Sequence, residues 1–167
     1  MCGPAGSGKS TVARSLEDTG MVRLSFDQEA WTRGLRHMPL TQAEHAAIDA
    51  HLREQLIELV GQGRDVVLDF SLWSRRMRDD WRALLRPLGV TPETIYLATD
   101  RVTCLARVAD RRREHGDDFT IAPDVAAAYF DHFEAPTDDE GPLITVNPAS
   151  WGRRAADPDG FRRSCPG

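Results

Sequence analysis

Gly3-Pro4-Ala5-Gly6-Ser7-Gly8-Lys9-Ser10 is the stretch from which the fold is read. It satisfies the phosphate-binding spacing G-x-x-x-x-G-K-[ST] at every position, and Thr11, Val12, Ala13 and Leu16 continue it into an amphipathic helix. Glycines let successive backbone N–H groups curl around phosphate oxygens, and the helix start behind them adds partial positive charge. Gly3, Pro4, Ala5, Gly6, Ser7, Gly8, Lys9, Ser10 and Thr11 are therefore the expected nucleotide-binding residues. Lys9 is expected to reach the outer phosphates as a catalytic cation and the Ser10 hydroxyl to ligate magnesium, which makes ATP and Mg2+ the expected cofactors. The competing reading is a glycine-rich turn that merely caps a helix. A strand normally feeds such a loop, yet only Met1 and Cys2 stand before Gly3. The first strand thus reads as truncated, and the expectation is that the natural chain extends upstream of Met1 or that another segment supplies the strand.

Outward from the loop, short apolar runs alternate with helical periods, the pattern of an α/β protein with a largely parallel sheet. A helix is predicted from Lys9 to Asp18 with a stop at Gly20, then a strand from Val22 to Phe26 that ends on Asp27. A helix over 28–37, closed by Pro39, precedes a long one to Gly61 opened by the capping box Thr41 and Glu44. Ile48, Leu52, Leu56, Leu59 and Val60 form its core stripe. Val66-Val67-Leu68 is a buried strand ending on Asp69, followed by a helix over 74–88, a strand over 94–98 and an arginine-rich helix over 102–115. A helix over 124–133 and a strand over 143–146 complete a domain spanning 1–146, with a lid over 107–123. The segment 147–167 reads as a tail without firm structure, anchored only by Trp151 and Phe161.

Asp27 and Asp69 both end strands, where open parallel sheets bind ligands. Asp27 suits a general base that orients an acceptor hydroxyl and takes its proton, or a helix N-cap, and the two roles are compatible. Asp69 suits a magnesium ligand alongside Ser10, with capping as its alternative. Trp31 and Trp73 follow the two strands and are candidate walls of a substrate pocket. Arg75 and Arg76, with Arg78 beyond them, are candidate clamps for an anionic or polar substrate, against the plainer reading of a solvated helix face. Arg107 and Arg111 are four apart, hence on one helical face, and are expected to bring positive charge to the nucleotide, Arg111 as a catalytic residue of the closing lid.

Among 21 basic residues Lys9 is the single lysine, and a compact ammonium suits the loop better than a planar guanidinium. The 167 residues fit one domain, and 41% hydrophobic with 28% charged residues is the composition of a globular protein. A net charge of -5 argues against a binder of nucleic acid through bulk attraction. Cys2, Cys104 and Cys165 lack paired spacing, and with no apolar stretch near the roughly 18 residues of a bilayer span the reading is cytoplasmic, without membrane attachment.

The loop, the two aspartates, the arginine-rich helix and Phe133-Glu134-Ala135-Pro136 together make the chain resemble small P-loop kinases: the short bacterial ATP-binding proteins grouped with chloramphenicol phosphotransferase, zeta-toxin-like kinases and polynucleotide kinase domains. The resemblance implies the α/β three-layer sandwich of P-loop NTPases, with Asp27 as general base, Asp69 as the acidic residue of the third strand, Arg107 and Arg111 as nucleotide-stacking and lid arginines, and adenine seated near Asn147 and Pro148. The function expected is transfer of the γ-phosphoryl group of ATP to a hydroxyl of a small molecule. A polynucleotide 5′-hydroxyl kinase and a non-catalytic ATP-binding switch or toxin component are the alternatives. The acceptor and the oligomeric state are not legible.

Overall fold

The computed structural model describes residues 1–37, 39–114, 122–147 and 151, without the side chains of 111–114 and 123. Helix α1 (Lys9–Asp18) leaves the glycine loop and is followed by strand β1 (Val22–Ser25), α2 (Phe26–Thr32) and α3 (Gln42–Gly61). Then come β2 (Val66–Asp69), α4 (Arg75–Leu85) with a short 3-10 turn at Arg86–Leu88, and β3 (Thr94–Leu97). Helices α5 (Arg101–Glu114) and α6 (Pro123–Asp131), a 3-10 turn at Asp138–Glu140 and β4 (Leu143–Val146) close the order.

Among the described residues every strand pairing is parallel. β1 runs beside β2 with Val22 opposite Val66 and Ser25 opposite Asp69, and β3 runs beside β4 with Thr94 opposite Leu143. The two pairs meet through the first residues of the chain. The Met1 nitrogen donates to the Leu68 carbonyl (2.9 Å), the Cys2 N–H to the Ile95 carbonyl (2.8 Å), and the Leu97 N–H to the Cys2 carbonyl (2.9 Å). Met1 and Cys2 thus occupy the central slot from which the loop is fed, and Cys2 bridges to Tyr96 in parallel.

Strand alternation sorts the side chains to two faces. On one, Val67, Ile95, Leu97 and Val146 meet Val12, Ala13 and Leu16 of α1. On the other, Leu24 and Phe70 meet Ile48, Leu52 and Leu56 of α3 and Trp81 and Leu85 of α4. The result is helix, sheet, helix: three layers. Trp151, from the stretch read as tail, is 7% exposed, belongs to the α1-side cluster and donates its indole N–H to Ser15 Oγ (2.7 Å). Phe161 lies outside the described residues. No helix among the described residues is long and apolar enough to cross a membrane.

The widest departures from the sequence reading flank α2. β1 stops at Ser25, because the Ser25 hydroxyl accepts the Gln28 N–H and starts α2 at once, so Asp27 sits in the first helical turn and not at a strand end. α2 ends at Thr32, well before residue 37. Gly34 has φ 78°, its N–H bonds the Trp31 carbonyl and the Leu35 N–H bonds the Ala30 carbonyl, a Schellman stop that a residue with a Cβ resists. The Thr41–Glu44 capping box forms as expected at the start of α3.

Candidate active site

The loop is held in shape by close backbone packing. Gly6 has φ 79°, and a Cβ there would lie 2.2 Å from the Cys104 carbonyl oxygen of α5, so backbone touches backbone. Asp100 caps α5 by accepting the Thr103 N–H (2.9 Å), and these bonds hold its carboxyl below the ordinary range. That cap fixes where α5 meets the loop. From α5, Arg107 Nη1 donates to the carbonyls of Gly6 (3.3 Å) and Ser7 (3.5 Å), and Thr99 Oγ1 donates to the Ser7 carbonyl (3.0 Å).

The Lys9 ammonium folds back over the loop onto the carbonyls of Gly3 (2.9 Å) and Pro4 (2.8 Å). Gly8 opens α1 in a left-handed conformation with no side-chain cap, so the helix start presents backbone donors to the loop. A positive ammonium and an uncapped helix start form a donor set that fits phosphate oxygens. Ser10 Oγ donates to Asp69 Oδ1 at 3.2 Å, which joins two hard oxygen donors of the kind magnesium takes. The residues present therefore fit a magnesium-bound nucleotide.

Asp69 is buried with its side chain 5% exposed, and its charge is balanced by Arg23 Nη1 at 3.0 Å. Arg23 in turn meets Glu17 (2.9 Å) and Gln28. The sequence reading missed Arg23. Its signal is a charged residue inside a short strand, on the same face as Ser25 and hence beside Asp69.

Asp27 is exposed in α2, two residues beyond the strand partner of Asp69. Trp31, 42% exposed, follows it by one helical turn. Gln28, Glu29 and Thr32 line a cavity of about 360 Å3 beside β1 with Gln55 and Glu58 of α3. Trp73 is 48% exposed in the turn after Asp69. That turn contains Leu72 at φ 34°, a backbone conformation that leucine rarely adopts and that its surroundings must enforce. They do so from two sides. Arg78 Nη1 donates to the carbonyls of Leu72 (3.1 Å) and Glu134 (2.8 Å), while the Glu134 N–H donates to the Trp73 carbonyl (2.9 Å).

Of the arginines after Asp69, Arg78 is 2% exposed and forms a two-pronged pair with Glu140, Nε to Oε2 and Nη2 to Oε1, each 2.7 Å. It faces inward and cannot clamp a substrate, contrary to the expectation for it. The Arg78 guanidinium holds the Glu140 carboxyl down to about 2 against the opposing effect of burial. Arg75 pairs with Asp139 at 2.8 Å, and Arg76 points outward with its side chain 91% exposed and Asp80 at 4.0 Å. Arg107 stands against the loop. The side chain of Arg111 and residues 115–121 of the stretch read as a lid lie outside the described residues, as does Pro148, whereas Asn147 directly follows β4.

Comparison with known proteins agrees with this arrangement. Residues 1–136 match the model of an AAA-domain family. The chain is 31% identical over 163 residues to a cytidylate kinase of Haloarcula marismortui, covering 89% of this chain and 79% of that protein. It is 29% identical over 155 residues to the Schizosaccharomyces pombe protein designated "Probable gluconokinase", covering 87% of this chain and 76% of the relative. The fold recurs in crystal structures of a sugar kinase from Janibacter sp. HTCC2649 (TM-score 0.67, 18% identity, 96% of this chain and 90% of that one) and a gluconokinase from Sinorhizobium meliloti 1021 (TM-score 0.60, 20% identity, 98% and 95%). A loop closed on its own lysine, fed from the centre of a parallel sheet and matched by kinases along most of its length, means that the chain belongs to the AAA-domain family of P-loop kinases and is a phosphotransferase.

Proposed function

We propose that the protein transfers the γ-phosphoryl group of ATP to a hydroxyl group of a small molecule. One observation carries the reading: two acidic residues flank the ends of paired strands in different settings. Asp69 is buried and engaged by Ser10 and Arg23, whereas Asp27 stands exposed in the neighbouring helical turn. The first is suited to organise a metal, the second to meet an incoming hydroxyl.

In this reading the loop amides and Lys9 hold the phosphates, and Ser10 with Asp69 holds magnesium. When bound, magnesium-ATP supplies the transferable phosphoryl group. Asp27 orients the acceptor oxygen and accepts its proton. Arg107 reaches the loop from α5, and Arg111 brings further positive charge as a lid spanning 107–123 closes. Trp31 and Trp73 border the acceptor, with Arg75 and Arg76 at the rim. A phosphate acceptor, as the name cytidylate kinase implies for that relative, needs no base because its oxygen is already ionised, so Asp27 favours a hydroxyl acceptor, as the name gluconokinase implies for the other. Binding of a polynucleotide is disfavoured by the inward engagement of Arg78 with Glu140.

The test is ADP release with and without hydroxylated acceptors. Asp27→Asn is expected to lower acceptor-dependent turnover by about 10²- to 10⁴-fold while leaving the Kd for ATP unchanged. Full activity of that variant removes Asp27 as the base. Absence of transfer from the unaltered protein to any acceptor, with ATP-dependent association with another protein, supports the switch instead.

A further inference from the structure

Arg36 lies between Arg33 and His37, and both of those meet carboxylates: Arg33 Nε is 2.8 Å from Glu29, and His37 Nε2 is 3.2 Å from Glu44. Arg36 meets none among the described residues, yet it is held in place. Its guanidinium carbon stands 3.5 Å from the Trp31 ring centroid, and Nη1 donates to the carbonyls of Trp31 (2.6 Å) and Leu35 (3.2 Å). Stacking on the indole together with two carbonyl bonds fixes a side chain that ordinarily keeps considerable rotamer freedom.

The two bonds occupy both hydrogens of Nη1. The opposite edge of the guanidinium, Nε–H with Nη2–H, is the side-on fork that takes a planar carboxylate through two parallel hydrogen bonds. Trp31 itself lies one helical turn from Asp27, about 5–6 Å between Cβ positions. Asp27 and Trp31 are thus neighbours on one face of α2, and the Arg36 guanidinium, from the segment after the helix, is stacked on that indole.

We infer that Arg36 reads a carboxylate on the acceptor, so that the substrate class is a short polyhydroxylated acid whose phosphorylated hydroxyl meets Asp27 and whose carboxylate meets the Nε–Nη2 edge of Arg36. The inference rests on the hydroxyl-kinase reading above and narrows it. The indole beside the two groups offers apolar surface to the C–H side of the chain, and the hydroxyls on the other side stay solvated.

The experiment measures acceptor-dependent ADP formation with a panel of aldonates, D-gluconate among them, each paired with its uncharged alditol, such as D-glucitol, and with cytidine monophosphate. The unaltered protein is expected to favour at least one acid over its alditol by tenfold or more in kcat/KM. Arg36→Gln is expected to raise KM for that acid by about ten- to a hundredfold, with kcat and the rate on the alditol nearly unchanged. Arg36→Lys, which keeps the charge and loses the fork, is expected to recover only part of the loss. Equal use of acid and alditol, or an acid-to-alditol ratio that survives Arg36→Gln, overturns the inference and leaves the hydroxyl kinase standing. Phosphorylation of cytidine monophosphate alone removes the hydroxyl reading and the inference with it, whereas use of no compound in the panel overturns the inference and leaves the hydroxyl reading to acceptors of another class.

Discussion

At Arg78 a full guanidinium is removed from water, with Glu140 equally enclosed against it at side-chain exposures of 1% and 2%. The same carboxylate receives Arg82 Nη1 at 3.0 Å, and Arg82 Nη2 donates to Thr94 on β3, so Glu140 ties α4 to the sheet. Glu140→Gln leaves the buried guanidinium without its counter-charge, and urea unfolding at neutral pH is expected to register a loss of about 3–5 kcal/mol. The acid dependence follows from the sign of the shift. The Glu140 carboxyl titrates near 2 in the folded protein against an ordinary 4.5, so its stabilisation is complete above about pH 4.5 and disappears as pH falls toward 2. In Glu140→Gln that part of the acid unfolding curve should flatten. None of this was legible in the sequence: the two residues are 62 positions apart, and an ion pair between distant segments leaves no periodic trace among so many arginines. Lys9 and Ser10 were legible because local spacing fixes them and Asp69 because it ends an apolar strand, and Ser10 does meet Asp69 across 59 positions.

Helices and strands were readable where their ends carry their own chemistry. Thr41 and Glu44 bond each other's backbone and announce α3; Ser74 accepts the Met77 N–H and announces α4. The α2 boundaries escape the hydrophobic pattern because Phe26 continues the strand pattern past Ser25 and Gly34 falls inside the helical one, although Ser25 and Gly34 are each a strong end signal when weighed by hydrogen bonds. The phosphate loop shows the same dependence on backbone detail. Gly6→Ala places a methyl 2.2 Å from the Cys104 carbonyl, and neither backbone can yield without moving α5 or the loop. ATP binding by isothermal titration is expected to be lost or weakened more than tenfold, because left-handed strain of about 1–2 kcal/mol adds to the collision. An Ala variant that binds ATP normally would mean that α5 does not brace the loop.

Over the whole molecule, three layers, parallel pairing and the central position of Met1–Cys2 agree with the α/β expectation, and Trp151 extends the core beyond residue 146. What the sequence could not supply is which distant backbone atoms hold the loop. Thr99 reaches Ser7 across 92 positions and Arg107 reaches Gly6 across 101, while β1 and β2 are joined only after the intervening α2 and α3. The consequence concerns the order of events in time. Contacts that close such long stretches carry their entropy before they are rewarded, so α1 and α3 can form early while the phosphate loop stays unbraced. Refolding followed by far-ultraviolet circular dichroism should recover helix before a fluorescent ATP analogue binds, and coincident recovery would contradict that order. The nucleotide site then matures after the helices, and newly made protein acquires its helices before it acquires a ligand.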